Sequence, residues 1–319
     1  MRVAVLGLGS AGARHARNLV ELGHEVVGFD PAPPPAPEAV ARAESLDRAI
    51  AAAEAVIVAS PSSLHAEQAL ACLERGRHVL VEKPLAVTVA EAERTAEAAE
   101  RAGVVCGVAM NLRFHHGILE LKRLLDEGAL GTARLARASF GYDLRLWHPG
   151  SDYRRGYSAR ADLGGGIVLD AIHELDYLLW LLGPVKTVSA ELNHVSELEI
   201  DVEDVAVAIL SFESGAVGAV DLNFFEPAYR RCCVLVGSEA VAVWDWRQAT
   251  VTISREGEDD RAADVRCDVA DTYRAGLADF LAAVERGGEP RTPVREGLAA
   301  VRLANALKRS AILGRRVTA

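Results

Sequence analysis

The first hundred residues alternate between two hydrophobic periods. "RVAVLGLG" (2–9) is a continuous apolar run of strand length, and the stretch from about Ala11 to Leu22 follows with a helical period. "HEVVGFD" (24–30), "AVIVAS" (55–60), "HVLVE" (78–82) and "VVCGVA" (104–109) are further strand-length runs. Helical stretches separate them. "SLHAEQALACLERG" (63–76) is closed by glycine, and Thr88 with Glu91 forms a capping box for a helix to about Ala102. "PAPPPAP" (31–37) fits neither period and reads as a stiff loop. Strands that are apolar throughout are buried on both faces, so the pattern predicts an α/β unit: a doubly wound parallel sheet of the Rossmann kind, with helices on either side.

After about residue 118 the pattern changes. A helix over 116–126 leads into "TARLARASFGYDL" (132–144), whose alternation reads as a half-buried strand. An irregular loop (145–166) precedes a helix, "DAIHELDYLLWLLG" (170–183). From Val185 to Ser254, strand-like runs are separated by turn residues, with "ESG" as a hairpin turn. "REGEDDRAAD" (255–264) reads as a solvated acidic turn or loop, and two helices close the chain near 272–286 and 294–312. The expectation is two domains. Residues 1–118 form the doubly wound unit, and 119–319 an α+β unit with a mostly antiparallel sheet. No internal repeat of fixed period is visible.

Composition narrows the class of protein. A net charge of −10 with no basic stripe argues against a nucleic-acid surface. No apolar run approaches the roughly 20 residues that span a bilayer, and "MRVAVLGLG" lacks the form of a signal peptide. A soluble cytoplasmic protein with no membrane partner is expected. The five cysteines (Cys72, Cys106, Cys232, Cys233, Cys267) show no CxxC pair or metal spacing and read as small hydrophobes, with Cys232 and Cys233 on opposite faces of a strand. No metal site is expected.

Candidate chemistry begins with "GLGSAG". Gly7, Gly9 and Gly12 stand in G-x-G-x-x-G spacing between a strand and a helix, where the pattern marks a dinucleotide-binding turn. Gly7 permits the tight turn, Gly9 lets a pyrophosphate approach, and Gly12 lets the helix pack on the strand. Ser10 and Ala11 complete that turn, whose free N–H groups suit phosphate. Asp30 ends the second strand, where a carboxylate accepts both ribose hydroxyls and repels a 2′-phosphate. NAD is therefore expected in preference to NADP. The bland alternative for Asp30 is a turn cap before Pro31.

Lysine stands at only four positions, 83, 122, 186 and 308, of 35 cationic side chains. Lys83 follows the fourth predicted strand, at the carboxyl end where ligands of open α/β sheets bind. An ammonium can release its proton and a guanidinium effectively cannot, so Lys83 is a candidate general acid/base, with desolvation expected to lower its pKa toward working pH. Asp170, His173, Glu174 and Tyr177 are spaced to share one helical face. A carboxylate and an imidazole there can hold neighbouring hydroxyls of a sugar and relay a proton. The alternatives are an N-cap aspartate and a core histidine.

These segments resemble the glucose-fructose oxidoreductase / inositol dehydrogenase (Gfo/Idh/MocA) family of NAD(P)-dependent enzymes. The likeness runs through "GLGSAGARH", "SPSSLHAEQALACLERGRHVLVEKPLA", "NLRFHHGILELKRLLDEGALG" and "GGGIVLDAIHELDYLLWLLG", with the E-K-P tripeptide as its most specific element. The resemblance implies that Lys83 is the general acid/base near the nicotinamide and that Asp170 and His173 bind substrate and assist. It puts Ser60, Pro61, His65 and Glu82 with the cofactor and Arg113 with the substrate. It also implies a second domain built on a large open sheet used for oligomer contacts, hence a homodimer or homotetramer. The commoner family spacing between that aspartate and histidine is four residues; here it is three, and Glu174 takes the usual place. The loop "WHPGSDYRRGYSAR" is similar to a branch acting on bacterial surface sugars, which adds Trp147, His148, Tyr153 and Arg154 as candidates for substrate recognition. The expected activity is hydride transfer between a secondary alcohol of a sugar, polyol or sugar nucleotide and the nicotinamide. Glycoside hydrolysis through transient oxidation and a non-catalytic cofactor sensor are the alternatives.

Overall fold

The structure is a computed structural model describing residues 1–32, 39–147 and 149–319. It divides into two compact units, Met1–Asn111 with Val269–Val301, and Leu112–Asp268 with Arg302–Ala319. The division thus falls at 111/112 instead of 118/119, and the chain returns to the first unit after residue 268. The reason is packing: helix α8 (Val269–Arg286) places Leu277, Phe280 and Leu281 in the same core cluster as Val3, Val5, Ala16 and Leu19.

Among the described residues of the first unit, six parallel strands form one sheet. They are β1 (Arg2–Leu6), β2 (Glu25–Phe29), β3 (Val40–Arg42), β4 (Ala55–Val58), β5 (His78–Val81) and β6 (Cys106–Val108), in the order β3-β2-β1-β4-β5-β6. Val3 to Leu6, Ala55 to Val58 and Val79 and Val81 are fully buried, as continuous apolar runs require in a sheet covered on both faces. Reversal of strand order at β1 and β4 creates the switch point at whose carboxyl ends ligands of such sheets bind. The expected proline loop lies, from Pro33 to Glu38, outside the described residues. The sequence pattern had no signal for β3, three residues with one buried side chain, or for the short helix α2 (Leu46–Ala52) that Ser45 caps. Between the strands run α1 (Ser10–Glu21), α3 (His65–Leu73) and α4 (Val89–Ala102). Thr88 and Glu91 form the expected reciprocal capping box of α4, and Gly103 closes it at φ 63°.

The second unit carries a mixed, mostly antiparallel sheet. Its described strands are β7 (Leu135–Gly141), β8 (Val185–Asn193), β9 (Val205–Phe212), β10 (Val217–Asn223), β11 (Arg230–Val236), β12 (Val241–Asp245), β13 (Thr250–Ser254), β14 (Arg261–Asp264) and β15 (Val317–Thr318). Their order is β14-β13-β12-β11-β7-β10-β9-β8-β15, and β7 with β10 is the parallel pair. Two strands were not expected. β14 pairs with β13 inside the segment read as a solvated loop, and β15 pairs with β8. Both are edge strands whose side chains are largely exposed, so no apolar alternation marks them. On one face Ala138, Phe140, Leu222, Cys233 and Trp244 are buried, with α5 (His116–Asp126) on β12 and α7 (Ile172–Leu182) on β7. The opposite face keeps Val207, Ile209 and Val217 exposed. Cys233 lies on the covered face and Cys232 is half-buried on the other, as alternation along β11 demands.

Candidate active site

The phosphate turn is built from backbone constraints. Gly7 has φ +84°, and a Cβ there would lie 2.6 Å from the Ala59 carbonyl oxygen. A Cβ on Gly12 would lie 1.9 Å from the Gly7 oxygen, so the helix seats on the strand only with glycine at that position. At Gly9 a Cβ would meet nothing within 4 Å. Gly9 is the N-cap of α1 and brings no side-chain cap, Ser10 and Ala11 open the helix, and its first turn holds no acidic residue. Open space, uncapped N–H groups and the positive end of the helix dipole together fit a pyrophosphate. Asp30 closes over the turn: Oδ2 accepts the Leu8 N–H at 2.8 Å and Oδ1 the Ala32 N–H at 2.9 Å. It is therefore a turn cap. A carboxylate has about four acceptor positions, and the remaining two suit a ribose diol.

The turn after β4 holds Ser60 and Pro61. Pro61 is exposed and precedes a single turn over Ser62–Leu64. His65, expected at the cofactor, is 1% exposed and braces two loops: Nδ1 lies 2.7 Å from the Pro84 oxygen and Nε2 2.9 Å from the Ser60 oxygen. Burial pushes its pKa below the ordinary 6.5, although both carbonyls and the Glu82 charge pull the other way. A neutral ring donates once, and the shorter contact to Pro84 is the one we assign to that proton.

Lys83 follows β5 at the carboxyl edge of the sheet and is half-buried, and its peptide bond to Pro84 is cis. Glu82, also expected at the cofactor, turns inward instead. It is 7% exposed, Oε1 lies 2.7 Å from His15 Nε2, and Oε2 accepts the Lys83 N–H at 3.1 Å. Burial pushes its pKa up. The His15 hydrogen bond and charge, with Lys83, outweigh that and hold the carboxyl below its ordinary value. His15 stands on the buried stripe of α1 with Gly12, Ala16 and Leu19. A histidine at a core position was the signal that could have found it.

In the second unit the helix read as 170–183 is two pieces. α6 (Ile167–Asp170) ends at Ala171, with φ −89° and ψ 30°, before α7 begins. The expected single face is therefore broken. Asp170, 5% exposed, accepts the Tyr157 hydroxyl on Oδ1 at 2.8 Å, and His173 is 6% exposed at the start of α7. Glu174 points into the core, where Arg231 Nε donates to it at 2.8 Å and the guanidinium lies 4.4 Å from the Phe140 ring centre. Tyr177 is fully buried, and its burial pushes the phenol pKa well up. Both are held in the core of this unit. Arg113, expected with the substrate, is 1% exposed and bidentate to Asp176 at 2.6 and 2.8 Å, an internal ion pair.

Of the loop candidates, Trp147 donates to the Tyr142 oxygen at 3.2 Å and packs edge-on against Phe140 and Phe224. The Tyr153 hydroxyl accepts the Glu199 N–H at 3.1 Å, and Arg154 pairs with Asp152 and Glu199. Their polar atoms are thus already engaged locally. His148 lies outside the described residues. Tyr157 was passed over because its partner, Asp170, is 13 residues further along the chain.

A glycine turn fitted to pyrophosphate, a switch point and a lysine at the strand ends define a dinucleotide-binding oxidoreductase. Residues 1–110 match the family described as "Oxidoreductase family, NAD-binding Rossmann fold", and residues 118–243 match the "GFO/IDH/MocA C-terminal domain". Inositol 2-dehydrogenase 2 of Saccharopolyspora erythraea is 32% identical over 98% of this chain and 94% of its own. Myo-inositol 2-dehydrogenase of Thermotoga maritima is 28% identical over 97% and 96%. A solved levoglucosan dehydrogenase in complex with NADH shares the fold, with a TM-score of 0.90 at 22% identity over 100% of this chain and 98% of that one. The chain belongs to the Gfo/Idh/MocA family of NAD-binding oxidoreductases.

Proposed function

We propose that the chain transfers a hydride between a secondary alcohol of a sugar, polyol or sugar nucleotide and NAD, in the cytoplasm. The observation that carries this reading is Lys83 at the carboxyl edge of a parallel sheet whose β1 turn, two strands away, fits a pyrophosphate. Bound NAD supplies the hydride acceptor or donor. Loss of hydride from a carbinol carbon leaves its O–H proton to be removed, and Lys83 takes that proton as general base. Asp170, oriented by the Tyr157 hydroxyl, accepts hydrogen bonds from substrate hydroxyls, and His173 offers a second, titratable contact. A homodimer or homotetramer forms through the open face of the nine-stranded sheet, where Val207, Ile209 and Val217 are 40–50% exposed. Among the described residues no helix is long and apolar enough to cross a membrane.

The test is a screen of polyols, aldoses and nucleotide sugars with NAD, following NADH absorbance. Substrate-dependent accumulation of NADH supports the reading. Released sugar without NADH would make the chain a hydrolase that oxidises transiently. Cofactor binding with no turnover on any of these would make it a sensor.

A further inference from the structure

His15 and Glu82 form a buried pair that the transfer chemistry does not itself require. His15 is 1% exposed and Glu82 7%, at 2.7 Å. Burying a carboxylate costs several kcal/mol unless it is paired and hydrogen-bonded, so a structural role would be served more cheaply by two apolar side chains. The carboxylate is not symmetric in its duties. Oε1 meets His15, while Oε2 accepts the backbone N–H of Lys83, the residue whose side chain carries the proton. Among the described residues His15 Nδ1 meets no partner, so the ring makes its hydrogen bond through Nε2, to Glu82. The Glu82 carboxylate therefore stands between the histidine and the main chain of the lysine. His15 lies on α1, whose N-terminus is the phosphate turn, so two hydrogen bonds through one carboxylate tie that helix to the main chain of the lysine.

We propose that Glu82, locked by His15, is the positioning residue of Lys83: it fixes the backbone from which the lysine extends and keeps a negative charge beside its ammonium. Among the described residues the other charged and titratable groups facing this pair are Arg14 on α1, His65 on α3 and Tyr273 on α8. Arg14 lies 4.2 Å from the Tyr273 ring centre, and Tyr273 stands edge-on to His15 at 6.2 Å between centroids. These groups remain when Glu82 alone is neutralised, so Glu82→Gln isolates its charge.

This role rests on Lys83 as general base, and the experiment separates the two. In the cofactor-free protein, competitive acylation across pH, read by mass spectrometry on the Lys83 peptide, gives the protonation of that lysine without any turnover. Losing the carboxylate removes an opposite charge that favours the ammonium, so Glu82→Gln moves Lys83 protonation to lower pH by about one unit. Glu82→Asp restores most of the wild-type profile. His15→Phe, which strips Glu82 of its donor, moves it in the same direction. That variant decides the matter if Glu82→Gln does not fold. An unchanged Lys83 profile in the folded Gln or Phe variant overturns the proposal. In turnover, alcohol oxidation needs the free amine, so its rate rises with pH through the Lys83 titration, and that rise shifts to lower pH in Glu82→Gln. A labelling profile that shifts while the rate profile stays put leaves the positioning role intact and removes Lys83 as the base.

Discussion

At the scale of single residues, the proposed role of Lys83 as general base makes the sharpest prediction. Lys83→Arg keeps the charge but not a releasable proton. It is expected to retain fold and NAD affinity while losing about 10²–10⁴-fold in kcat, the usual worth of general acid–base help. Titration calorimetry beside steady-state rates checks this, and a fully active variant would reduce Lys83 to a structural cation. Asp30 governs a second outcome. One oxygen holds the phosphate turn through the Leu8 N–H and the other accepts the Ala32 N–H, and the carboxylate is expected to face the ribose. NAD should bind more tightly than NADP, and tighter NADP binding in a calorimetric comparison would confine Asp30 to its capping role. The glycine turn at Gly7, Gly9 and Gly12, and the placing of Asp30 and Lys83 at strand ends, were legible because each answers a local demand of turn or strand end. The partners of Glu82, His65 and Arg113, namely His15, Pro84 and Asp176, were not legible because they are distant in sequence.

At the scale of elements, two helix starts bear on stability and on the proposed site. α5 begins at His115, whose Nδ1 accepts the Gly117 N–H at 3.0 Å and whose ring stacks on Trp246 at 4.6 Å. Burial, with the nearby His116 and Arg231, pushes its pKa down to about 4. The unfolded chain takes up this proton near the ordinary 6.5 and the folded chain does not. Stability should therefore decline as pH falls from about 6.5 toward 4. His115→Asn keeps an N-cap acceptor and should flatten the decline in that window, as urea titrations at stepped pH would register. If the slope survived the substitution, the other buried histidines would be its source. The break at Ala171 separates Asp170 from His173, so the three-residue spacing of this chain does not behave as a helical repeat. Asp170→Asn and His173→Ala are expected to weaken turnover or substrate affinity and to leave NAD binding within a few-fold. Loss of NAD binding in both would make them packing residues.

At the scale of the whole molecule, the open face of the nine-stranded sheet bears on assembly. Val207 and Ile209 on β9 share it with Val217 on β10, beside Arg137 and Asp221. Ile209→Arg introduces a charge into that face and should shift the protein to smaller species in light scattering, with the secondary structure unchanged. A wild-type chain that is monomeric at micromolar concentration would remove the oligomer proposal. By itself the sequence determined the two kinds of sheet, the phosphate turn, the lysine at the strand end and the family, since each is written in residues within a few positions of one another. Only the tertiary structure decided that residues 269–301 complete the first unit, because α8 finds its apolar partners in β1 and α1. It also decided which buried charges face each other. The periodicity of a sequence says that a side chain is buried, and the fold alone says against what.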